Sequence, residues 1–341
     1  MHSRAQDPSR LHTAILGDGG WGTTLAIHLL KKGELPTLWS PFPEYCAFLK
    51  KERRNPKFLP DIPIPCNLEI TDDLACTLGN ADIITLAIPS RYMRGILERI
   101  KGLPRKKEAV FVSVSKGIEH KTLLRMSELI VSILGEVPLA ILSGPTIAKE
   151  LASGVPTTAV IASRDNGLSK NLQSLFTNGN FRIYTSCDVV GVELGGALKN
   201  VIAIACGISD GMGYKSNAKA ALITRGLAEM SRLGTHFGAE ASTFMGLSGM
   251  GDLITTCISP FSRNRSLGEA IGQGRSLRHI LDETEMVIEG VDTVVSAYEL
   301  SVRCNIDMPI TQTVYAVLYQ EKNPRTAVSE LFSRPLKAEK S

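Results

Sequence analysis

One lysine stands alone in a long apolar stretch of this sequence. Lys199 is the only charged residue between Glu193 and Asp210, and its neighbours are mostly glycine, alanine, leucine, valine and isoleucine. Burying an ammonium group among apolar side chains is costly unless a partner or a function compensates for it. Such a lysine suits general acid and base chemistry at a substrate oxygen. An equally open alternative is a structural lysine whose stem packs on apolar surface while its ammonium reaches water.

Two further segments carry groups that suit the same chemistry. Asp252 precedes a short apolar run and is a candidate to orient Lys199 or pair with it. Ser262, Arg263 and Asn264 precede a helical pattern, and arginine binds phosphate well because its planar donors match the phosphate oxygens. By itself this segment favours a solvent-exposed turn. In combination with Lys199 and Asp252 it favours an anion site.

A glycine-rich loop lies near the start of the chain. Residues 17–22 read GDGGWG, which matches G-x-G-x-x-G, and they lie between an apolar strand pattern and an amphipathic helix. In a dinucleotide loop Gly17 would allow the tight turn, Gly19 would let the backbone approach the pyrophosphate, and Gly22 would allow close packing of helix on strand. The alternatives are a glycine turn without a ligand and a methyltransferase loop.

The residue that distinguishes NAD from NADP is less clear. An NAD enzyme usually has Asp or Glu at the end of the second strand, but here the chain reads Trp39-Ser40-Pro41, and Glu44 comes only later. No arginine follows directly either. The cofactor, NADP or NAD, is therefore left open with a slight preference for NADP. The basic residues further on favour a solvated helix face; they are Lys50, Lys51, Arg53 and Arg54.

Two more polar segments follow strand patterns directly. Ser115-Lys116-Gly117 is one, and Ser143 to Ala148 is the other, with Pro145 expected at a helix start. Both are expected at the carboxyl edge of the sheet, where ligands of doubly wound folds bind.

The first half of the chain alternates strand and helix patterns, which predicts a doubly wound, mostly parallel sheet. The predicted strands are Thr13–Leu16, Pro36–Trp39, Ile83–Ile88, Ala109–Val114, Leu139–Leu142 and Thr157–Ile161. The predicted helices are Gly22–Lys32, a helix capped by Ser90 that runs to Ile100, and Thr122–Leu134.

The second half is predicted to be all-helical. Ser216–Leu233 is one helix, ended by Gly234, and Ser266 to Glu269 fits a capping box before another. Val291–Arg303 and Thr311–Tyr319 continue the pattern. The fold class is therefore α/β, with a doubly wound Rossmann domain over residues 1–190 and a helical domain over residues 191–341.

Composition excludes several classes of protein. The 38 basic and 34 acidic residues nearly balance, which gives no case for a nucleic-acid or membrane-surface partner. Seven scattered cysteines without a C-x-x-C pair predict reduced thiols, a cytoplasmic protein and no metal site. The polar segment Met1–Leu11 predicts no secretory signal, and the nearly uncharged stretch Leu194–Ser209 is judged too short to span a bilayer.

Taken in order, the motifs resemble those of one family. They are GDGGWGT, SKG, SGPTIAKE, LGGALKN, GDL, SRNR and VIEG, spread from about Ile15 to Pro309. This combination resembles the bacterial-type glycerol-3-phosphate dehydrogenases [NAD(P)+]. The resemblance implies reversible reduction of dihydroxyacetone phosphate to sn-glycerol 3-phosphate, the precursor of glycerophospholipids.

The resemblance also implies roles for residues. It implies that Lys199 is the general acid and base, that Asp252 is the acid beside it, and that Lys116 is shared by cofactor and substrate. Further substrate positions implied by it are Gly144, Thr146, Thr256, Ser262, Arg263 and Asn264. The implied dinucleotide positions are Gly17, Gly19, Gly20, Trp21, Gly22, Pro41, Lys116, Ala148, Arg263, Val287 and Glu289.

Two positions depart from the family pattern. Gly20 replaces the usual serine of the glycine loop, which removes a hydroxyl from the phosphate site. Pro41 replaces the common basic residue after the second strand, which weakens any claim of strong NADP selectivity. The helical half is expected to form a homodimer.

Two rival functions are kept beside this hypothesis. One is a hydroxy acid or keto acid reductase on the same two-domain plan, whose substrate carries a carboxylate instead of a phosphate. The other is a nucleotide-sensing module without catalysis, against which the Lys199, Asp252 and Arg263 combination argues.

Overall fold

The computed structural model describes residues 10–336 and 338–339. Within them the chain forms two compact units. The first unit runs to Lys116 and resumes at Leu124–Glu193, and the second takes Gly117–Leu123 and continues from Leu194. Residues 1–9, which make up most of the segment expected to carry no signal, lie outside the described part.

The first unit is built on a large sheet. Its strands are β1 (His12–Leu16), β2 (Leu35–Trp39), β5 (Glu69–Thr71), β6 (Ile83–Leu86), β7 (Val110–Ser113), β8 (Leu139–Ser143), β9 (Thr157–Ala162) and β10 (Phe181–Ser186). A separate short hairpin pairs β3 (Arg54–Asn55) with β4 (Leu59–Pro63).

The strand order places β1 in the interior of this sheet. Among the described residues the order is β10-β9-β8-β7-β6-β1-β2-β5, and all pairs are parallel except β8 with β9. Leu16 pairs with Trp39 on one side and with Leu86 on the other. The chain therefore leaves β1 at a point where the strand order reverses, which is where ligands bind in such folds.

Alternate residues of the strands pack on opposite faces of the sheet. Ile15 belongs to the apolar core on one face, whereas Ala14 and Leu16 belong to the core on the other. Burial on both faces explains why the strands read as nearly continuous apolar runs. The helices of this unit are α1 (Gly20–Lys32), α2 (Pro43–Glu52), α3 (Leu74–Gly79), α4 (Ser90–Lys101), α5 (Met126–Leu134), α6 (Ala148–Ala152) and α7 (Asn166–Phe176).

The second unit is helical, which confirms the predicted fold class. After α8 (Val189–Gly211) come α9 (Ser216–His236), α10 (Ala241–Phe244), a π-helical turn (Leu247–Gly251), α11 (Asp252–Ile258), α12 (Arg263–Gly272), α13 (Leu277–Asp282), α14 (Glu289–Arg303), α15 (Pro309–Tyr319) and α16 (Pro324–Phe332). The boundary predicted after residue 190 falls in the first turn of α8.

Helix α8 is longer than the apolar stretch Leu194–Ser209, which was expected to be too short to span a membrane. It has 23 residues and is apolar enough to span one, but 89% of its most apolar window is buried inside the protein. Burial, and not length, therefore identifies α8 as a core helix.

Several predicted helix ends are wrong. Gly234 does not end α9, which continues to His236. A Cβ atom on Gly234 would lie 2.1 Å from Cζ of Phe244, so the glycine makes room for a ring. Ser266 lies inside α12, because Ser262 caps the helix one turn earlier by accepting the N–H of Arg265.

The first unit shows similar corrections. Ser90 is the first residue of α4 and Pro89 occupies the cap position.

Helix α5 begins at Met126 instead of Thr122, since Leu123 has a φ of +61° that interrupts a helix. Pro145 does not begin α6, which starts three residues later at Ala148.

Four strands escaped sequence reasoning. The hairpin strands β3 and β4 and the three-residue β5 are short or polar, so they leave little pattern. Strand β10 alternates buried Phe181 and Ile183 with exposed Arg182 and Tyr184. That alternation is a strand signal, but it is weaker than the continuous apolar runs of the central strands.

A buried carboxylate caps one helix of the second unit. Glu229 of α9 accepts the N–H groups of Ile310 and Thr311 at 2.6 and 3.1 Å, and the hydroxyl of Thr311 at 3.1 Å. Burial raises the pKa of Glu229 to about 7, although these hydrogen bonds oppose the change. The start of α15 therefore depends on a group that titrates near neutral pH.

We expect this group to make stability depend on pH. Because the folded-state pKa exceeds the unfolded value, the contribution of Glu229 is fully present below pH 4.5 and is lost as the pH rises through about 7. Between pH 5 and 8 the unfolding free energy should fall by roughly 2 kcal/mol more in the wild type than in Glu229→Gln. Urea denaturation at several pH values measures this difference, and parallel pH curves for the two proteins would contradict it.

Candidate functional site

The glycine loop follows β1 and leads directly into α1. Gly17 has a φ of +117°, and a Cβ atom there would lie 2.4 Å from the carbonyl oxygen of Ala87. Gly19 precedes the helix, no side chain caps the helix start, and the space around a Cβ at Gly19 is open to 4 Å. Gly22 is buried in the first turn. The N–H groups at the start of α1 therefore face space that an anion can occupy.

The structure leaves little room for a side chain at Gly20. A Cβ atom on Gly20 would lie 2.5 Å from the carbonyl oxygen of Phe58. A serine at this position therefore requires the segment after β3 to shift. Trp21 is half-buried, and its ring meets the edge of Phe181 at a centroid distance of 6.1 Å.

A lysine lies at the carboxyl edge of the sheet. Lys116 follows β7, and its Nζ donates to the carbonyl oxygen of Gly144 at 2.8 Å and to Oγ1 of Thr146 at 3.1 Å. Gly144 has a φ of +138°. The carbonyl oxygen of Ala148 accepts a hydrogen bond from Thr24 of α1 at 3.2 Å, which ties this second loop to the glycine-loop helix.

The end of β2 lies beside a carboxylate from the glycine loop. Pro41 is half-buried there, and no acidic residue follows β2 directly, but the carboxylate of Asp18 reaches this point from the glycine loop and accepts the hydroxyl of Ser40 at 2.5 Å. The expectation for the residues after β2 therefore holds, and a carboxylate from another segment, Asp18, lies at this place. Of the basic residues beyond, Lys50 and Lys51 are exposed on α2, whereas Arg53 lies past its end and donates to the carbonyl oxygen of Leu68 at 2.8 Å.

In the second unit, Lys199 is buried and paired. Its Nζ lies 2.5 Å from Oδ1 of Asp252 and 2.7 Å from Oγ1 of Thr256. The three residues are 6%, 2% and 9% exposed. The Thr256 hydroxyl donates in turn to the backbone carbonyl of Asp252 at 2.6 Å. The lysine is therefore not a snorkelling surface residue.

Close backbone packing brings the aspartate to the lysine. A Cβ atom on Gly195, one turn before Lys199 in α8, would lie 2.7 Å from the carbonyl oxygen of Ser248. Ser248 belongs to the π-helical turn that runs directly into α11, which begins with Asp252. The small residue on α8 therefore lets the π-helical turn approach closely enough for the ion pair to form.

An asparagine links three helices beside this pair. Asn264 of α12 donates to Oδ1 of Asn200 on α8 at 2.8 Å and accepts the N–H of Gly290 on α14 at 2.9 Å. Asn200 directly follows the paired lysine. Sequence reasoning assigned no role to Asn200, although a polar residue next to Lys199 in an apolar helix was a signal for one.

The remaining predicted residues gather at the start of α12. Arg263 donates from Nη1 to the carbonyl oxygen of Val287 at 2.6 Å, and its side chain is exposed. Ser262 caps this helix, and Glu289 is the first residue of α14. Burial lowers the pKa of Arg263, and the charge of Glu289 opposes this change. A guanidinium at a helix start suits an anion, because the guanidinium and the helix N–H groups attract negative charge. The described residues hold no cluster of three or more His, Cys, Asp or Glu that would bind a metal.

These features define a class of protein. A doubly wound sheet with an open glycine loop at its reversal point is typical of dinucleotide binding. A helical unit with a buried lysine and aspartate pair, and with an arginine at a helix start that suits an anion, is suited to proton transfer on an anionic substrate. Together they are typical of a two-domain dinucleotide-dependent dehydrogenase.

Comparison with known proteins gives the particular family. Residues 12–169 match the N-terminal part of NAD-dependent glycerol-3-phosphate dehydrogenase, and residues 188–329 match the C-terminal part. The glycerol-3-phosphate dehydrogenase [NAD(P)+] of Citrifermentans bemidjiense is 50% identical over 330 residues, which are 96% of this chain and 98% of that protein. The corresponding protein of Syntrophotalea carbinolica is 46% identical over 333 residues, 96% of this chain and 99% of that protein.

A solved structure agrees with these matches. The crystal structure of glycerol-3-phosphate dehydrogenase from Coxiella burnetii has a TM-score of 0.92 and is 38% identical, and the match covers 95% of this chain and 99% of that one. The chain belongs to the NAD-dependent glycerol-3-phosphate dehydrogenase family. The resemblance inferred from its motifs is thereby confirmed.

We expect the buried pair to be costly to break and cheap to replace. Asp252→Leu leaves a buried ammonium without its counter-charge, which should lower the unfolding free energy by about 3–5 kcal/mol. The double variant Lys199→Met with Asp252→Leu should recover most of that loss because neither charge remains. Urea denaturation of the two variants measures the difference.

The exposed pair of Arg303 and Glu299, 3.6 Å apart in the same unit, provides the control. Glu299→Gln should change the unfolding free energy by less than about 1 kcal/mol. A double variant as unstable as Asp252→Leu alone would show that the ion pair is not the source of the cost.

Proposed function

We propose that this protein is a soluble, cytoplasmic glycerol-3-phosphate dehydrogenase that interconverts dihydroxyacetone phosphate and sn-glycerol 3-phosphate with NAD or NADP and supplies glycerophospholipid synthesis. The observation that carries the proposal is the buried contact of Lys199 with Asp252 and Thr256 in a chain of this family. When bound, the dinucleotide supplies the hydride for the ketone carbon or accepts it from the alcohol.

The first unit fits a dinucleotide. The open space at Gly19 and the uncapped start of α1 suit a pyrophosphate, which needs close backbone approach and N–H donors. Lys116, held by Gly144 and Thr146, adds a positive charge at the same sheet edge. The other positions proposed to contact the dinucleotide are Gly17, Gly20, Trp21, Gly22, Pro41, Ala148, Arg263, Val287 and Glu289.

In the second unit, Lys199 is the proposed acid and base. An ammonium group has three donors, and two of them are directed at Asp252 and Thr256, which leaves one for a substrate oxygen. In reduction Lys199 gives this proton to the oxygen of the former ketone, and in oxidation it takes the proton from the hydroxyl. Asp252 and Thr256 fix the direction of the amine.

The start of α12 is the proposed phosphate site. Arg263 supplies an exposed planar donor group, and Asn264 is held rigidly between α8 and α14. Ser262 closes the helix start. These groups suit a phosphate, and because a guanidinium pairs with carboxylates as well, the comparison of phosphate and carboxylate substrates below decides between them.

We further propose that the protein forms a homodimer. The second unit exposes large apolar side chains, among them Ile258, Phe261 and Val302 at 58%, 56% and 56%. Sedimentation velocity of the full chain tests this assembly.

The central test is turnover with dihydroxyacetone phosphate. Absorbance at the NADH band should fall when this substrate is added, with NADH and NADPH assayed in parallel. Ketopantoate and small keto acids should give no comparable rate. A faster rate with a carboxylate substrate would overturn the proposal.

Lys199→Ala should lower kcat about a thousandfold while leaving dinucleotide affinity within about twofold, because the lysine transfers a proton and lies in the second unit. Steady-state rates and fluorescence titration with NADH measure the two effects. Lys215→Ala, which removes an exposed lysine at the start of α9, is the control and should retain wild-type turnover. Normal turnover in Lys199→Ala would rule out its assigned role.

Arg263→Ala should raise the KM for dihydroxyacetone phosphate about tenfold to a hundredfold, because it removes charge-assisted hydrogen bonds to the phosphate. The KM for unphosphorylated dihydroxyacetone should change little, which separates phosphate binding from general damage. Arg278→Ala removes an arginine whose side chain is 93% exposed in the same unit and should leave both constants unchanged. Equal effects of Arg263→Ala on both ketones would exclude a phosphate site at this arginine.

A further inference from the structure

A buried carboxylate lies at the junction of the glycine loop and β2. Asp18 is 5% exposed, and its Oδ2 accepts the hydroxyl of Ser40 at 2.5 Å. Ser40 is fully buried and directly follows Trp39, the last residue of β2. The backbone N–H of Gly17 donates to the carbonyl oxygen of Trp39 at 3.1 Å, so the loop and the strand end are joined by the main chain as well.

This location has a meaning in doubly wound folds. An acidic side chain at the end of the second strand hydrogen-bonds the ribose 2′-hydroxyl of NAD. Here the strand end carries Ser40 and Pro41, and the acid arrives from the loop instead. The carboxylate reaches the ribose-reading position by a different route from the usual one.

Neighbouring side chains hold Asp18 in place. Asn55 donates from Nδ2 to the backbone carbonyl of Asp18 at 2.7 Å and to Oγ1 of Thr23 at 2.8 Å. The hydroxyl of Tyr45 donates to Oδ1 of the same asparagine at 2.7 Å. Thr23 also donates to the Asp18 carbonyl at 3.1 Å. The carboxylate is therefore attached to a loop that cannot easily swing away.

Opposing effects act on the protonation of Asp18. Burial raises the pKa of Asp18, and the hydrogen bond from Ser40 and the charge of Lys57 act in the opposite direction by favouring the ionised form. A carboxylate has more acceptor sites than one serine hydroxyl can fill, so it retains capacity for a second hydroxyl.

Three basic residues around the end of α2 have contacts of their own. The Nη1 of Arg53 is directed at the carbonyl oxygens of Leu68 and Pro65, at 2.8 and 3.4 Å. Arg54 and Lys51 lie 3.6 and 3.9 Å from the carboxylate of Glu52. A 2′-phosphate, which carries no hydroxyl proton and close to two negative charges near neutral pH, would meet the Asp18 carboxylate at short range.

We propose that Asp18, oriented by Ser40, makes this enzyme select NAD(H) over NADP(H) by accepting the ribose 2′-hydroxyl and repelling a 2′-phosphate. The inference rests on the proposed function as far as dinucleotide binding is concerned. It reverses the slight preference for NADP drawn from the residues after β2.

Direct binding without substrate tests the inference. The full-length chain is titrated with NADH and with NADPH, and the two Kd values are read from fluorescence. The wild type should bind NADH at least about tenfold more tightly than NADPH. Asp18→Asn should lower the ratio of the NADPH Kd to the NADH Kd about tenfold, mainly by lowering the Kd for NADPH. Glu44→Gln removes an exposed acid of α2 and should leave the ratio unchanged.

A second variant guards against a folding defect in the first. Ser40→Ala keeps the Asp18 carboxylate but removes the hydroxyl that orients it. It should therefore lower the ratio of the NADPH Kd to the NADH Kd by about twofold to fivefold. A wild type that prefers NADPH, or an Asp18→Asn protein in which both Kd values rise equally, would overturn the inference. If the inference fails but the protein turns over dihydroxyacetone phosphate with NADPH, the proposed function still holds. If the protein binds neither NADH nor NADPH, both the inference and the proposed function are wrong.

Discussion

The second unit depends on the stability of one buried ion pair. An ammonium with 6% exposure is tolerable only beside a counter-charge, and Asp252 supplies it at 2.5 Å with its own exposure at 2%. That distance requires the π-helical turn to approach α8 at Gly195, where a methyl group would collide with a backbone oxygen. The helices therefore pack around a charge whose burial costs free energy. A buried ion pair adds little net stability, so stability alone does not account for this arrangement.

Two side-chain amides beside the ion pair connect α8 to α12 and α14. Asn200 follows Lys199 directly and bonds Asn264, which in turn bonds the first turn of α14. These hydrogen bonds join α8 to the start of α12, which carries Arg263. The proposed proton donor and the proposed phosphate site share one rigid connection through side-chain amides.

In the first unit, the glycine loop at residues 17–22 is fixed by its neighbours while the space beside Gly19 stays open. Gly19 has free space around it, whereas Gly17 and Gly20 are pressed against backbone oxygens. Asn55 of β3 donates to the loop at the carbonyl oxygen of Asp18, and Tyr45 of α2 holds Asn55 in turn. The turn of the β3–β4 hairpin also leaves no space for a side chain at Gly20, because the carbonyl oxygen of Phe58 lies 2.5 Å from where a Cβ atom would be.

Local pattern alone determined much of this protein. The apolar runs predicted the central strands of the sheet, the glycine spacing predicted the loop after β1, and a lone charge in an apolar helix singled out Lys199. The helix boundaries, by contrast, depended on residues from other elements. Gly234 does not end α9, and its lack of a side chain makes room for the ring of Phe244.

Only the tertiary structure placed an acid at the end of β2. Asp18 and Ser40 are 22 residues apart, and nothing in either segment announces their contact. The same holds for the assignment of Gly117–Leu123 to the second unit, which cuts across the order of the chain. Periodicity and spacing report which face of an element is apolar, whereas the partner of a polar side chain is decided by how the elements pack.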